Sequence, residues 1–282
     1  LVKPIIGIEA YVAPSTRKSR VQEFWGTSRD AGDPDAEGGK DVSGGGRYTH
    51  MTMWAKDSEG LHNLFRLSSL ASYEGYYMKP RMDRELMGQY PGGIIASTGC
   101  PSGEVQTRLR LGQFEEACQA ASDYRDIFGR ENYFCELMDH GVPIEKQVRS
   151  DLLKLAKKLD IPLLVTNDSH YVTEDQADAH DSLLCVGVGR NKDDPNRFRF
   201  NGSGYYIKSS EQMRALFPDH PEACDNTLLL TEMIGSTTRC LSTSTGCRSS
   251  MFLRGRLRSP GCVRNSRKDS TRNSVRTRPK RS

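Results

Sequence analysis

The sequence predicts an α/β protein in which strand–helix units repeat with short links, a pattern typical of a parallel sheet or an α/β barrel. Two observations carry this prediction. Short apolar runs recur along the chain, and the segments between them place apolar residues at helical spacing. In a barrel, chemistry lies in the loops that leave the carboxyl ends of the strands, so those loops are where a site is expected.

The strands are predicted from apolar, β-branched or alternating runs. The run I-I-G-I-E-A-Y-V is apolar and β-branched, H-M-T-M-W-A alternates, and I-I-A-S-T is short enough to be a buried strand. Y-F-C-E-L-M and L-L-V-T-N complete the set. These runs correspond to residues 5–12, 50–55, 94–98, 133–138 and 163–167.

The helices are predicted from apolar residues that recur every three or four positions. Leu61, Leu64 and Leu67 follow this spacing in the segment 58–71, and Val148, Leu152 and Leu155 share one face of a later segment. Gly129 is a plausible helix stop. The predicted helices cover residues 58–71, about 103–111, about 114–128, 144–159 and 174–186.

Three segments depart from this pattern. Residues 14–48 are polar, contain three consecutive glycines and have no apolar periodicity, which predicts a surface insertion in a barrel spanning 1–208. Residues 209–234 are expected to begin a link toward a further domain. Residues 235–282 form a basic tail that holds 13 of the 40 Lys and Arg residues and one of the 36 Asp and Glu residues.

The basic tail allows two interpretations. It could be a disordered arm that binds nucleic acid. It could also be the product of translation in the wrong reading frame. For two stretches of the tail, codons can be chosen that encode the observed residues and that, shifted by the same single base, encode acidic peptides typical of a helical protein. We favour the frameshift and predict that the tail is disordered.

Composition excludes several classes of protein. No apolar run approaches the roughly 20 residues that span a bilayer, and the start lacks the features of a secretory signal, so we expect a cytoplasmic protein with no membrane partner. The eight cysteines form no C-x-x-C pair and are interpreted as reduced thiols. The sequence contains no phosphate-binding loop, nucleophile elbow or dinucleotide fingerprint.

Metal-binding side chains recur at the predicted strand ends. Glu9 lies on the first strand, Cys100 follows the third, His140 follows the fourth, and Asp168 and His170 follow the fifth. His50 begins the second strand and fits this rule less well. Carboxylate, thiolate and imidazole groups bind zinc, manganese or magnesium, and such ions support phosphoryl hydrolysis. Together they predict a metal site.

Each of these residues also has a structural interpretation. Cys100 alone is more often a small buried apolar residue, Asp168 could cap a turn, and His140 could be an ordinary turn histidine. Cys100 as a nucleophile beside a histidine is a weaker alternative. A structural role is favoured for the remaining histidines, which are His62, His180 and His220.

Several motifs resemble the N-terminal region of bacterial DNA polymerase III alpha subunits, over about residues 1–234. They include Y-Y-M-K-P-R-M-D, T-G-C-P-S-G-E-V, E-L-M-D-H-G, L-V-T-N-D-S-H-Y and R-F-R-F, in the expected order. In that family the region is a PHP (polymerase and histidinol phosphatase) domain. The resemblance implies a distorted α/β barrel whose metal cluster supports a 3′–5′ exonuclease in some members and has decayed to a scaffold in others.

The resemblance also implies roles for individual residues. The metal-binding positions correspond to Glu9, His50, Cys100, Asp168 and His170, with His140 a weaker candidate. Glu9 or a neighbouring metal-bound hydroxide would support attack on the terminal phosphodiester of a primer, and Asp168 is counted with Glu9 as catalytic. The implied partners are primer-template DNA and other replicase subunits.

Two departures from the family pattern affect these expectations. The opening H-x-H motif and a following D-H pair of the family lie upstream of Leu1, so we expect the first strand of the barrel to be missing and the cluster of divalent ions to be incomplete. The catalytic aspartates of the polymerase lie downstream, so this chain is not expected to polymerise DNA. The alternatives are a non-catalytic scaffold and a free-standing PHP-type phosphatase.

Overall fold

A computed structural model describes residues 3–26, 42–200 and 202–235. Within these ranges the chain forms six strands and a series of helices, which confirms the predicted α/β class. The strands are β1 (Gly7–Val12), β2 (Thr49–Ala55), β3 (Arg81–Met82), β4 (Ile94–Ser97), β5 (Tyr133–Leu137) and β6 (Leu163–Val165). Residues 236–282 lie outside the described part, as does much of the predicted insertion.

The helices are the single turn α1 (Ser43–Gly46), α2 (Ser58–Glu74), α3 (Arg84–Gln89), α4 (Glu104–Arg110), α5 (Phe114–Phe128), α6 (Pro143–Leu159), α7 (Ala177–Val188), α8 (Ser210–Leu216) and α9 (Pro221–Met233). Five helices, α2, α4, α5, α6 and α7, follow the predicted segments closely, whereas α1, α3, α8 and α9 were not predicted. Gly129 does end α5, with a left-handed φ of 90°. Of the helices in the described ranges, none has both the length and the apolar character needed to cross a bilayer.

The strands form one mixed sheet in the order β3-β1-β2-β4-β5-β6. β4 is parallel to β5 and β5 is parallel to β6, as expected. β2, however, runs antiparallel to both β1 and β4. The expectation of a uniformly parallel sheet is therefore wrong at β2. Apolar alternation does not depend on strand direction, which is why the sequence pattern did not reveal this reversal.

The reversal of β2 decides which residues meet at one edge of the sheet. Val12 at the end of β1 pairs with Thr49 at the start of β2, and Ala96 near the end of β4 pairs with Met53. The start of β2 therefore lies beside the carboxyl ends of β1 and β4. We call the edge formed by these ends, together with the ends of β5 and β6, the site edge.

The core lies between the sheet and the long helices. Leu67 on α2, Met53 on β2 and Leu155 on α6 have no accessible surface, and Tyr124 and Tyr133 are also buried. β3 and β6 are the outer strands, and among the described residues no pairing joins them. The closure of the barrel therefore stays a prediction.

The segment 209–234 packs on the outer strand β6. Leu230 of α9 and Ile234, which directly follows that helix, form a small apolar cluster with Leu164 of β6. The side-chain amide of Asn226 donates a hydrogen bond of 2.7 Å to the carbonyl of Leu163. This segment is therefore part of the same packed unit as the sheet.

Candidate functional site

One cavity at the site edge collects all six candidate ligands. It has a volume of about 540 Å³, and its walls include Glu9, His50, Cys100, His140, Asp168 and His170. These residues come from five different strands or the loops that follow them. The strand-end rule thus locates the cavity, and the reversed strand β2 explains how His50 reaches it from a strand start.

Glu9, His50 and Cys100 form the tightest part of this cavity. Nδ1 of His50 lies 2.8 Å from Oε1 of Glu9 and 3.4 Å from Sγ of Cys100. Sγ of Cys100 lies 4.0 Å from Oε1 of Glu9. One ligand atom from each of the three residues lies within 4.8 Å of the other two, so a single ion could contact all three. We call these residues the three-ligand cluster.

The backbone around Cys100 explains this convergence. Gly99, between β4 and Cys100, has a φ of 80°, and a Cβ added to it would lie 2.9 Å from the carbonyl oxygen of His50. Only glycine allows that close approach without strain. The N–H of His50 also donates to the carbonyl of Ser102 at 3.1 Å, which ties the start of β2 to the turn that carries Cys100.

Asp168 and His170 form a second pair on the wall of the same cavity. Nε2 of His170 lies 3.5 Å from Oδ1 of Asp168. This contact lowers the pKa of Asp168 and raises the pKa of His170. Asp168 has a φ of 41°, in the left-handed region that non-glycine residues seldom adopt. Such conformations are concentrated at functional sites because the surrounding structure must hold them.

His140 lines the cavity with both ring nitrogens already hydrogen bonded. Nδ1 lies 2.5 Å from Oε1 of Glu145, and Nε2 lies 2.6 Å from the carbonyl oxygen of Asn167. The ring is buried and stacks on Tyr205 at a centroid distance of 4.1 Å. Burial opposes charge on the imidazole, but these hydrogen bonds outweigh it and raise the pKa of His140. Both acceptors favour an imidazolium that donates twice and offers no lone pair to a metal.

The Cys100 thiol is not activated as a nucleophile in this arrangement. Burial raises its pKa well above the usual value, and the nearby carboxylates of Glu9 and Asp168 raise it further, although a hydrogen bond from the backbone of Ser102 opposes them. A reactive cysteine needs a lowered pKa. A metal ion would displace the thiol proton on binding, so this environment suits a ligand better than a nucleophile.

The remaining histidines lie outside the walls of this cavity. His62 bonds to the carbonyl of Ser58 within α2 at 2.7 Å, and His220 lies 3.3 Å from Glu222. His180 stacks on Phe200 at a centroid distance of 5.3 Å. These contacts fit the structural roles that the sequence indicated.

Sequence reasoning missed four residues that shape the site. Glu136 and Glu145 are buried carboxylates, and Tyr205 is the ring against which His140 stacks. Arg199 lines the mouth of the cavity and forms no ion pair with any residue in the described ranges. The available signal was a charged residue inside an apolar strand, Y-F-C-E-L, which is unusual enough to mark Glu136.

Comparison with known proteins relates the chain to a family. Residues 1–140 match the family model of the PHP domain. The chain contains a PHP domain. The matching segment of 236 residues is 60% identical to the DNA polymerase III subunit alpha of Saccharopolyspora erythraea and covers 83% of this chain and 20% of that protein.

Two further relatives carry the same name. The DNA polymerase III subunit alpha of Mycobacterium tuberculosis is 54% identical over 237 residues, which cover 83% of this chain and 19% of that protein. The Thermus aquaticus protein is 37% identical over 235 residues, which cover 82% of this chain and 18% of that protein. The chain thus spans about a fifth of the length of the curated relatives it matches. The resemblance inferred from its motifs is confirmed.

Proposed function

We propose that the cavity at the site edge is a divalent-metal site that hydrolyses phosphodiesters, and that it acts as a 3′–5′ exonuclease within a replicative polymerase. The observation that carries this proposal is the convergence of Glu9, His50 and Cys100, with Asp168 and His170 on the wall of the same cavity. Carboxylate, imidazole and thiol groups in one cavity are a donor set suited to transition metals.

The donor types fit zinc best, with manganese as the next candidate. A thiolate and an imidazole favour zinc, whereas the carboxylates of Glu9 and Asp168 accept zinc, manganese or magnesium. A bound divalent ion supplies a nucleophile at neutral pH and neutralises charge on the phosphoryl group. Glu9 and Asp168 are the proposed catalytic carboxylates, because both are ligands that also face the space where a phosphodiester would lie.

The mouth of the cavity offers groups that would hold the substrate. Arg199 lines the cavity, and its guanidinium, which forms no ion pair within the described part of the chain, is suited to a backbone phosphate. The neighbouring ring of Phe198 is 57% exposed, although it is large and apolar. Aromatic rings beside basic groups are a common platform for single-stranded nucleic acid, since bases stack on the ring while the cation holds the phosphate. We therefore propose that the 3′ end of a single strand enters past Phe198 and Arg199.

The parent protein would be the alpha subunit of a replicative polymerase, a DNA-directed DNA polymerase. This proposal rests on the printed name of the relatives, each about five times longer than the matching segment. Its partners would be primer-template DNA and other replicase subunits. Polymerisation itself would belong to parts of the relatives that this chain does not match.

A non-catalytic scaffold is the second candidate function. One observation favours it: Leu183, Val186 and Val188 on α7 expose 65%, 80% and 45% of their surfaces. Several exposed aliphatic side chains on one helix are more typical of an interface than of a free surface. A free-standing PHP-type phosphatase is disfavoured, because the relatives that match are polymerase subunits.

Metal content and primer degradation, measured on the same preparations, test the proposal. Elemental mass spectrometry of the purified chain should find stoichiometric zinc or manganese, and the loaded protein should shorten a labelled primer from its 3′ end. Asp168→Ala should lose metal and trimming, whereas Asp151→Ala, which removes an exposed ion pair with Lys154 on α6, should keep both. Metal without trimming would favour the scaffold, and neither metal nor trimming would refute the metal site.

A further inference from the structure

Glu136 is a buried carboxylate beneath the site edge. It lies on β5, in a strand of which every residue is buried, and only 3% of its surface is accessible. Its carboxylate accepts hydrogen bonds from the hydroxyl groups of Thr166, at 2.6 Å, and of Ser97, and the hydroxyl group of Thr52 also lowers its pKa. A buried carboxylate is costly unless such hydrogen bonds compensate it.

Each of these hydroxyl groups lies close to a candidate ligand. Thr52 pairs directly with Glu9 across β1 and β2, and directly opposed residues present their side chains on the same face. Ser97 ends β4, three residues before Cys100. Thr166 follows β6, two residues before Asp168. One carboxylate thus connects the chain segments that carry both parts of the proposed metal site.

The backbone of Glu136 extends the same connection. Its N–H donates to Oγ1 of Thr98 at 3.0 Å, and the Gln106 amide donates to that oxygen at 2.8 Å. The Gln106 amide also donates to the carbonyl of Gly99 at 2.7 Å. The turn that carries Cys100 is therefore fixed to β5 through side chain and backbone.

We infer that Glu136 is a positioning residue that holds the three-ligand cluster and the Asp168–His170 pair at the spacing a shared metal site requires. The inference rests on the proposed metal site. Glu136 is not assigned as a ligand, because it is not among the walls of the cavity that holds the six candidate ligands. Burial raises the pKa of Glu136 while the hydroxyl groups lower it, so its protonation state and its geometry depend on the same contacts.

Cobalt binding to the full chain tests this inference. Cobalt(II) replaces zinc in such sites, and its bond to a cysteine sulfur gives a charge-transfer absorption that reports directly on Cys100. Glu136→Ala removes the connection, and we expect its cobalt affinity to fall roughly 10- to 100-fold, the usual effect of losing an outer-shell partner. Glu136→Gln keeps the shape and can still bond the hydroxyl groups, so it should stay within a few-fold of the wild-type chain.

A matched control separates positioning from loss of stability. Asn63→Ala removes another buried hydrogen bond, of 2.8 Å to the carbonyl of Gly92, which lies just before β4 at the edge opposite the site. It should lower the melting temperature and leave the cobalt spectrum and affinity unchanged. If Glu136→Ala does not fold, Ser97→Ala and Thr166→Val each remove a single hydroxyl and should weaken cobalt binding.

The outcomes distinguish this inference from the proposed function. Unchanged cobalt affinity in Glu136→Ala, or in both hydroxyl variants, would overturn the positioning role alone. Equal weakening in Glu136→Gln and Glu136→Ala would also overturn it, because charge and not geometry would then explain the effect. Failure of the wild-type chain to bind cobalt would refute the metal site itself, and the positioning role with it.

Discussion

His50 lies 2.8 Å from Glu9 although the two residues are 41 positions apart, because β2 returns antiparallel to β1. Across this pair of strands Glu9 faces Thr52, and His50 is two residues away on the same face. The same imidazole nitrogen lies 3.4 Å from the sulfur of Cys100. Three donor types are therefore brought together by strand pairing and one glycine turn.

Replacing Cys100 should change the metal preference of the site. Cys100→Ser removes the only soft donor in the three-ligand cluster, so zinc affinity should fall by more than the roughly 10- to 100-fold that loss of an outer-shell partner costs. Manganese, which prefers oxygen donors, should lose less. Competitive titration with a zinc-sensitive dye would measure this. Cys118→Ser on α5 is the control, because Cys118 lies outside the cavity walls and should leave both affinities unchanged.

The His140–Glu145 contact predicts a pH dependence of stability. Because the folded-state pKa of His140 is raised, its contribution is fully present below the ordinary histidine pKa and is lost as pH rises through the folded value. In the presence of a chelator, the free energy of unfolding should therefore fall as pH rises from about 6.5. Urea denaturation at several pH values would show the decline, and His140→Gln should reduce it to the part contributed by His170, whose pKa is also raised.

The same pH experiment has a clear contrary result. If the wild-type chain and His140→Gln lose stability in parallel above neutral pH, the doubly hydrogen-bonded imidazolium is not the cause. His62→Gln is the matched control, because His62 lies on α2 away from the cavity and should keep the wild-type decline.

Arg199 should act on substrate affinity and not on metal binding. Arg199→Ala should raise the KM for a single-stranded oligonucleotide and reduce the salt dependence of binding by about one unit of slope, as expected for one lost phosphate contact. Zinc content should not change. Arg190→Ala, which removes an exposed arginine paired with Asp194, is the charge-matched control. An unchanged salt slope in Arg199→Ala would exclude a phosphate contact.

Substitutions in the core should change the stability of the fold. Leu155 on α6 has no accessible surface, so Leu155→Ala should cost about 2–5 kcal/mol in the free energy of unfolding. Leu183→Ala on α7, where the side chain is 65% exposed, should change it by less than about 0.5 kcal/mol. Denaturant titration of both variants measures the difference. Similar losses in both would mean that α7 packs against something in solution.

Sequence reasoning located the elements because their periodicity is strong. The segments that became β1, β2, α2 and α6 each carry a clear apolar pattern, and their bounds were close. The sequence could not predict the direction of β2, because apolar and polar residues alternate in the same way in a parallel and an antiparallel strand. β3 was missed because two residues are too few to show a pattern.

The candidate site could likewise be predicted only in part from the sequence. Glu9, His50, Cys100, Asp168 and His170 have side chains with recognisable metal chemistry, and their positions follow the strand-end rule or the family motifs. Glu136 contacts residues distant in sequence, such as Thr166, so local spacing does not show its contacts. The occupied ring of His140 likewise depends on Asn167, which is 27 residues away.

The packing of α9 on β6 determines where a shortened recombinant form of this chain can end. An outer strand with free carbonyl groups can recruit a strand from a second molecule and initiate aggregation. In this chain, Asn226 already bonds the carbonyl of Leu163, and Leu230 and Ile234 shield Leu164. A recombinant piece that stops at residue 208 should therefore precipitate, whereas one that continues past Ile234 keeps the protected edge and is the smallest piece suited to expression.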